Sequence, residues 1–221
     1  MNPVVKVDVR GRRITESDVQ RGIRTSILAS CLGVSWYAMT QNMPLQMFLE
    51  ALGAKGVLIG LAQTAMQMAL IAQLPGALLA KSLVARKKPW AVVCLISRVL
   101  WFLPLFFLGF ATGHPQAVAV ATVILVALSS FLNQSVTAFW FSWIADLVPE
   151  RIRGYFWGSR QSWVMSAFLV SIWLAGFLLD WFPSPKGPNG SWTGFGLVFL
   201  LGAVLGVMDI VIHLAVPEPV V

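Results

Sequence analysis

The stretch QAVAVATVILVALSSFLNQSVTAFWFSWIA, residues 116–145, contains no charged side chain. An α-helix needs roughly 20 apolar residues to cross about 30 Å of hydrocarbon, and this stretch is longer than that. Lipid offers no hydrogen-bond partners to peptide groups, so such a segment must satisfy its amides and carbonyls within a helix. The stretch therefore predicts a membrane-spanning helix.

The whole chain has the composition of such helices. Its 221 residues are 57% hydrophobic and 11% charged, with a mean hydropathy of +0.77, whereas soluble domains carry about 25% charged residues. Membrane barrels consist of short strands with alternating polarity, which the long apolar runs exclude. We therefore predict an all-α, polytopic membrane bundle of six transmembrane helices. The predicted spans are residues 22–48, 56–80, 90–110, 116–145, 155–182 and 193–216, after a tail at 1–21 and before a loop or tail that starts at 217–221.

Basic residues predict the orientation of the spans, because Lys and Arg in short loops stay on the cytoplasmic side. They are concentrated before or at the start of the first span and in the loops after the second and fourth: Lys6, Arg10, Arg12, Arg13, Arg21, Arg24, Lys81, Arg86, Lys87, Lys88, Arg151 and Arg153. The opposite loops hold only Lys55 and Lys186. Both termini are therefore expected in the cytoplasm, with the bundle in a bacterial inner (plasma) membrane. The net charge of +7 is explained by this excess of basic residues on the cytoplasmic side and by their attraction to anionic membrane lipid. No nucleic-acid partner is therefore expected.

The connection between the fourth and fifth spans, DLVPERIRGYFWGSRQSW at residues 146–163, gathers the charge that the spans avoid. Pro149 and Gly154 are expected to break the chain, and Gly158 to allow close approach of a neighbouring helix. This connection resembles the hinge between the fourth and fifth helices in the amino-terminal half of a major facilitator superfamily (MFS) transporter. The residues that carry the resemblance are Asp146, Pro149, Glu150, Arg151, Arg153, Gly154, Gly158 and Arg160.

A second segment, between spans two and three, is similar to the G-x-x-x-D-[RK]-x-G-[RK]-[RK] loop of that family. Its matching residues are Pro75, Gly76, Lys81, Arg86, Lys87 and Lys88. Ala80 occupies the position where the family usually has Asp, the second Gly is absent, and the basic cluster is displaced by a few residues. The contact in which that Asp clasps the other half of a transporter is therefore not carried over to this chain.

The resemblance extends over essentially the whole chain and implies a secondary transporter. Such transporters have two six-helix halves, each built from inverted three-helix repeats (3+3), and hold a small-molecule solute near the midplane between the halves. This chain matches one half, so the resemblance implies alternating access by a homodimer or by this chain with a partner half. It also implies gating and hinge roles for Asp146, Glu150, Arg151, Arg153, Gly154 and Arg160. An ion pair from Arg160 to Asp146 or Glu150 would break as the bundle rocks.

Polar residues inside spans are costly and therefore indicate where a transport site lies. In span four, polar side chains recur at offsets of three, four and seven residues, which places them on one helical face: Ser130, Asn133, Gln134 and Thr137. They would either line a cavity and bind a solute or make polar contacts between helices. In span one, Trp36, Tyr37 and Gln41 suit a neutral or amphipathic organic solute, although ordinary packing would also explain the two aromatic residues.

Ionisable residues inside the spans give less support to function. Arg98 and Arg160 are compatible with side chains that reach towards the headgroups, and Asp209 with His213 falls in the cytoplasmic half of span six. Without a carboxylate near the midplane, proton coupling is not predicted. Tryptophans near span ends are interpreted as interfacial anchors: Trp90, Trp140, Trp143, Trp181 and Trp192. Glycines four residues apart are interpreted as packing positions: Gly56 with Gly60, Gly154 with Gly158, and Gly202 with Gly206.

Catalysis is not expected. An intramembrane protease would need a buried nucleophile and a positioned base, but the chain has no Gly-x-Ser-x-Gly sequence, and its histidines, His114 and His213, fall in an outer loop and near a span end. No ligand-spaced cluster predicts a metal, no cofactor is expected, and Cys31 with Cys94 fit buried thiols. The alternative to a transporter is a non-transporting six-helix scaffold or a regulatory fragment, which the altered second loop and the missing second half favour.

Overall fold

The computed structural model describes residues 7–8, 11–183, 185–186 and 190–220. Within these residues the secondary structure is helical, and the β-contacts are two isolated bridges, Val7 with Arg13 and Asp8 with Pro219. The all-α prediction is therefore confirmed. Lys6 and Arg10 of the predicted tail and the last residue of the closing segment lie outside the described residues.

Nine α-helices make up the described part of the chain. They are α1 (Glu16–Thr40), α2 (Met43–Ala51), α3 (Gly56–Met68), α4 (Gln73–Ser82), α5 (Lys87–Val99), α6 (Leu103–Phe107), α7 (Pro115–Leu147), α8 (Glu150–Trp181) and α9 (Thr193–His213). Short 3₁₀ segments join α3 to α4 (Ala69–Ala72) and α5 to α6 (Leu100–Phe102), and a third follows α6 (Leu108–Phe110).

Five helical stretches are long and apolar enough to cross a membrane, which supports an integral membrane protein. They are Gly56–Ser82, Lys87–Phe110, Pro115–Leu147, Glu150–Trp181 and Thr193–His213. Each matches one of the last five predicted spans to within a few residues. The sixth membrane helix and the inverted repeat stay predictions.

The first predicted span is not one continuous helix, so the prediction of a single helix over residues 22–48 is wrong. α1 ends at Thr40, and α2 begins at Met43 with Asn42 as its N-cap, whose Oδ1 accepts a hydrogen bond from the Met43 amide at 2.8 Å. Pro44 follows in the first turn of α2. Proline has no amide hydrogen to donate to the preceding turn and its ring clashes there, so a helix that reaches this point must end and restart.

The amino-terminal end of α1 is fixed by a capping box. Thr15 Oγ1 accepts a hydrogen bond from the Asp18 amide at 3.2 Å, and the Asp18 carboxylate accepts one from the Thr15 amide at 3.0 Å. Arg12 adds an exposed ion pair to Asp18 at 3.3 Å. These bonds satisfy amides that the first helical turn leaves without partners.

The connection between α7 and α8 is shorter than the sequence suggests. α7 ends at Leu147 and α8 begins at Glu150, with Pro149 as the N-cap. Pro149 breaks the chain as predicted, but Gly154 lies inside α8 and does not. A Cβ built at Gly154 or Gly158 would meet no atom of the described residues within 4 Å, so these glycines make no close helix contact within this chain.

The helices pack closely where α9 meets α1. A Cβ at Gly202 would lie 2.6 Å from Thr40 Cγ2, so glycine is required for this approach and the packing role predicted there is confirmed. Gly56 and Gly60, in contrast, face open space. α1 also packs along α8, and α7 packs against α3, α4 and α5.

Two aromatic clusters fill the interior. One contains Trp36, Phe48, Trp101 and Phe199, and the other contains Trp90, Trp140, Trp143 and Phe156. Trp90, Trp140 and Trp143 are 5%, 7% and 1% exposed, so the prediction that they are interfacial anchors is wrong: they belong to the core. Trp181, at 73% exposed, has the exposure expected of an anchor.

Candidate functional site

A cavity of about 310 Å³ lies among five helices, α1, α5, α7, α8 and α9. Its polar lining consists of Ser30, Arg98, Asn133, Gln134, Thr137, Arg160, Asp209 and His213, and aromatic rings of Trp90, Trp140 and Phe141 complete its walls. Charged side chains inside a membrane bundle are costly, and four helices contribute ionisable or amide groups to this one space. We call this set of polar residues the cavity cluster.

Arg98 is the centre of the cavity cluster. Its Nη2 lies 3.5 Å from Asp209 Oδ2, and its Nη1 donates a hydrogen bond to Asn133 Oδ1 at 3.0 Å. The guanidinium carbon lies 3.5 Å from the centroid of the Trp36 ring, a cation–π contact. Arg98 is 6% exposed. It therefore turns into the bundle, and the suggestion that it reaches the headgroups is wrong.

His213 connects Trp140 to Asp209. Trp140 Nε1 donates to His213 Nε2 at 3.0 Å, because an indole N–H can only donate. His213 Nδ1 lies 2.8 Å from Asp209 Oδ1. The Asp209 carboxylate is therefore contacted by Arg98 and by His213.

Two glycines make room for these side chains. A Cβ at Gly33 would lie 2.6 Å from Asp209 Oδ2, so only glycine lets the carboxylate approach α1. A Cβ at Gly206 would lie 2.7 Å from both Arg98 Cδ and Trp36 Cδ1. Glycine at these two positions therefore lets the backbones of α1 and α9 approach the side chains of the cluster closely.

Arg160 faces the cavity from α8. Its Nε donates to Ser30 Oγ at 3.0 Å, and its guanidinium carbon lies 4.7 Å from the centroid of the Trp140 ring and 5.8 Å from that of Trp157. No carboxylate of the described residues lies within ion-pair distance of it. The predicted hinge ion pair is therefore wrong, because α8 starts at Glu150 and carries Arg160 more than two turns away from the connection.

Three of the four residues in the predicted polar stripe line the cavity: Asn133, Gln134 and Thr137. Gln134 Oε1 accepts hydrogen bonds from Gln73 Nε2 at 2.8 Å and from Thr137 Oγ1 at 3.2 Å. Ser130 is not part of the lining. It is 5% exposed and lies 3.4 Å from Gln41 Oε1, a contact between helices.

The predicted residues of span one lie beside the cavity rather than in its wall. Trp36 is 3% exposed, and its ring packs against the Arg98 guanidinium. Gln41 is buried, and its Nε2 has no hydrogen-bond partner among the described residues. Tyr37 is 39% exposed and does not line the cavity.

Most predicted gating residues lie near a second polar group, which we call the loop clamp and define as Arg86, Lys87, Asp146 and Glu218. Arg86 Nη1 lies 2.6 Å from Asp146 Oδ2, and its Nε donates to the Ala80 carbonyl at 3.0 Å. Glu218 Oε1 accepts hydrogen bonds from the Arg86 and Lys87 amides, the latter at 2.8 Å. Lys87 Nζ donates to the Val216 carbonyl at 2.7 Å. The clamp joins the α4–α5 loop to α7 and to the segment after α9.

The remaining predicted hinge residues flank the clamp at the start of α8. Arg153 Nη2 donates to the Ala145 carbonyl at 3.1 Å, across the connection from α7. Glu150 and Arg151 are exposed. A larger, open cavity of about 750 Å³ lies at this end of the chain, lined by Arg12, Arg13, Arg21 and Lys88 together with acidic residues. It is lined by the tail, the first turns of α1 and α5 and the segment after α9, and it includes Lys87 and Glu218 of the loop clamp.

Sequence reasoning missed Arg98, Asp209 and His213 as site residues. Each lies near a span end in the sequence. The packing of α5 against α9 brings Arg98 to Asp209, which His213 contacts from four residues further along the same helix. The available signal was the presence of opposite charges in different spans, since unpaired charges are rarely retained in membrane helices. Within the described residues no group of His, Cys and acidic side chains could hold a metal ion.

The chain was also compared with known proteins. No known protein family and no curated protein matches it.

Proposed function

We propose that the chain transports a small organic solute across the membrane by alternating access, as a transporter of the MFS type. The single observation that supports this proposal is the cavity of about 310 Å³, whose amide, hydroxyl and guanidinium groups come from separate membrane helices. Its volume is at the lower end of the range for small-molecule sites. If these groups served only to pack the helices together, the helices would leave no cavity between them.

The proposal includes a second six-helix unit, either another copy of this chain or a partner half. A single unit would leave the polar cavity open sideways to lipid, which cannot solvate Arg160 or the amides of Asn133 and Gln134. Two units that face each other would enclose the cavity and give it access to water at either membrane surface. On this proposal the protein lies in a bacterial inner membrane with both termini in the cytoplasm.

The loop clamp is where a gate would act. It connects three separate segments through Arg86, Asp146 and Glu218, and its ion pair is partly exposed, with side chains 19% and 27% accessible for Arg86 and Asp146. Water can therefore replace these contacts at modest cost when helices move. We place the hinge at Pro149, between α7 and α8, with Arg153 bridging it.

Alternating access is testable without knowing the solute. Cys31 and Cys94 are first replaced by Ser and Ala, and Thr137→Cys is then introduced into the cavity. As a control, Ser166→Cys places a thiol on the exposed side of α8, outside the cavity. A membrane-impermeant methanethiosulfonate reagent is added separately to right-side-out and inside-out vesicles, and the rates of modification are compared.

We expect the Thr137→Cys variant to react from both sides and the Ser166→Cys variant to react from neither, because a thiolate does not form in contact with lipid. Reaction of the Thr137→Cys variant from one side only would contradict alternating access. Reaction from neither side would support the alternative of a non-transporting scaffold.

A further inference from the structure

The charges of the cavity cluster do not balance. The described residues that line the cavity include two guanidinium groups, of Arg98 and Arg160, and one carboxylate, of Asp209. His213 cannot offset the second guanidinium, because an imidazole side chain supplies no negative charge in either of its ordinary forms. One positive charge therefore remains in a site of low dielectric, where an uncompensated charge is costly.

Arg160 is the cavity cation that has no direct ion pair among the described residues. Asp209 already contacts Arg98 at 3.5 Å and His213 at 2.8 Å. Arg160 Nε donates a hydrogen bond to Ser30 Oγ, whereas no described residue accepts a hydrogen bond from Arg160 Nη1 or Nη2. The contact with the Trp140 ring offsets part of the charge but provides no acceptor for these N–H groups. A guanidinium with two free terminal nitrogens is suited to bind a carboxylate through both of its oxygens.

The side-chain amides that line the cavity also have unused hydrogen-bond donors rather than unused acceptors. The Asn133 side-chain oxygen is occupied by Arg98, and the Gln134 oxygen by Gln73 and Thr137. The hydrogen-bonding capacity that remains on both side chains is that of their NH₂ groups, which donate. Arg98 Nε is buried and also lacks a partner among the described residues. The unused capacity of the cavity is therefore mostly donor capacity.

We infer that the solute is an organic anion whose carboxylate binds Arg160, with an apolar or aromatic body against Trp140 and Phe141. This inference rests on the proposed function and narrows the neutral or amphipathic solute expected from the sequence to an amphipathic anion. An anion neutralises the excess charge and accepts the hydrogen bonds that the protein leaves unmade. The same chemistry would accept the phosphate of an anionic lipid headgroup, so the test must separate the two sources.

The test uses phenylacetate and its neutral analogue phenylacetamide as probes. The full chain is placed in nanodiscs of phosphatidylcholine, and binding is followed by intrinsic tryptophan fluorescence and by the shift in thermal unfolding temperature. The variants are Arg160→Gln, which removes the charge, and Arg160→Lys, which keeps the charge but not the paired N–H groups. Arg24→Gln, at an exposed position of α1 outside the cavity, is the matched control.

We expect phenylacetate to bind saturably and phenylacetamide to have no effect at the same concentration. Arg160→Gln should weaken phenylacetate binding by about tenfold or more, Arg160→Lys by less, and Arg24→Gln should bind as the unmodified chain does. Equal responses to both probes, no response to either, or unchanged binding by Arg160→Gln would overturn the inference. Loss of phenylacetate binding in nanodiscs that contain phosphatidylglycerol would also overturn it, because the site would then belong to a lipid headgroup.

The two proposals can fail separately. If phenylacetate does not bind but the Thr137→Cys variant reacts from both sides, the solute class is wrong and transport stands. If phenylacetate binds through Arg160 but the Thr137→Cys variant reacts from one side, the chain binds an anion without transporting it.

Discussion

The cavity cluster and the loop clamp both bring Arg and acidic residues together, yet they are built differently. In the clamp, the Arg86 side chain forms an ion pair with Asp146, and Glu218 accepts hydrogen bonds from the backbone amides of Arg86 and Lys87. Both basic side chains also donate to backbone carbonyls. In the cavity cluster there are two arginines but one carboxylate, Asp209, which is within ion-pair distance of Arg98 and not of Arg160. Several donors there lack acceptors among the described residues. The charged side chains of the clamp have partners within the chain, whereas we propose that a ligand completes the cavity cluster.

Burial separates the two regions as clearly as charge does. The Arg98 and Asp209 side chains are 7% and 6% exposed, whereas those of Arg86 and Asp146 are 19% and 27% exposed. Water screens an ion pair in the clamp but hardly at all in the cavity cluster. Substitutions in the two regions should therefore change the free energy of unfolding by different amounts and with different salt dependence. For substitution of Arg160, the sign of the change should also differ.

Arg98→Leu should have the largest effect. It removes the only guanidinium in contact with Asp209 among the described residues, and removing one partner of a buried ion pair costs about 3–5 kcal/mol. Thermal unfolding in detergent, followed by tryptophan fluorescence, measures the loss. The double variant Arg98→Leu with Asp209→Leu should recover part of the stability, because no buried charge is then left alone; simple addition of the two single losses would show that the pair is not coupled.

Gly33→Ala should have the next largest effect. Its Cβ would lie 2.6 Å from Asp209 Oδ2, so the carboxylate must shift away from Arg98 and His213, at a cost of about 1–3 kcal/mol. Gly158→Ala is the control, because no atom lies within 4 Å of the added Cβ. Alanine in an open helical position should leave stability unchanged or raise it by up to about 1 kcal/mol. Equal effects of the two variants on the unfolding temperature would contradict this account.

Arg86→Gln tests the clamp. It removes the ion pair to Asp146 and the hydrogen bond to the Ala80 carbonyl, and partial exposure limits the loss to about 1–2 kcal/mol. The part that arises from the ion pair should shrink when unfolding is measured in 1 M instead of 0.1 M salt. The loss caused by Arg98→Leu should not change with salt, because buried charges are poorly screened. Equal salt dependence would mean that the two regions do not differ as proposed.

The capping box of α1 provides a reference outside the two charged regions. Hydrogen bonds from the Thr15 amide and hydroxyl hold the pKa of Asp18 below its ordinary value of 3.8. A lowered carboxylate pKa stabilises the folded state above the ordinary value, and this contribution is lost as the pH falls through the folded-state pKa. The difference in unfolding temperature between the unmodified chain and Thr15→Ala should therefore be larger at pH 6 than at pH 3. A larger difference at pH 3 would contradict this explanation.

The membrane helices and part of the site could be predicted from the sequence. Apolar runs such as residues 116–145 have one stable form in lipid, so their helical structure follows from composition alone. The offsets between Asn133, Gln134 and Thr137 place them on one face of α7 whatever surrounds that helix. The break between α1 and α2 was also visible, because Pro44 follows Asn42 closely, but the apolar run on both sides concealed it.

The partners of each charge could not be predicted. Arg98, Asp209 and His213 come from α5 and α9, and their contact depends on how these helices pack around Gly33 and Gly206, which local sequence patterns do not specify. Arg160 was assigned to the hinge because of its neighbours in the sequence, whereas the helical path of α8 carries it to Ser30 and Trp140. Helix formation is local, but pairing between helices is a property of the packed bundle.

The most direct test of the central claim, that the cavity cluster lacks a partner that a ligand supplies, is the thermal unfolding temperature of Arg160→Gln without added anion. If Arg160 is an uncompensated cation, its removal should leave the unfolding temperature within about 2 °C of the unmodified chain or raise it, since about 1 kcal/mol corresponds to roughly 2–4 °C in a chain of this size. A decrease as large as that caused by Arg98→Leu would contradict the claim, because Arg160 would then already be satisfied within the fold.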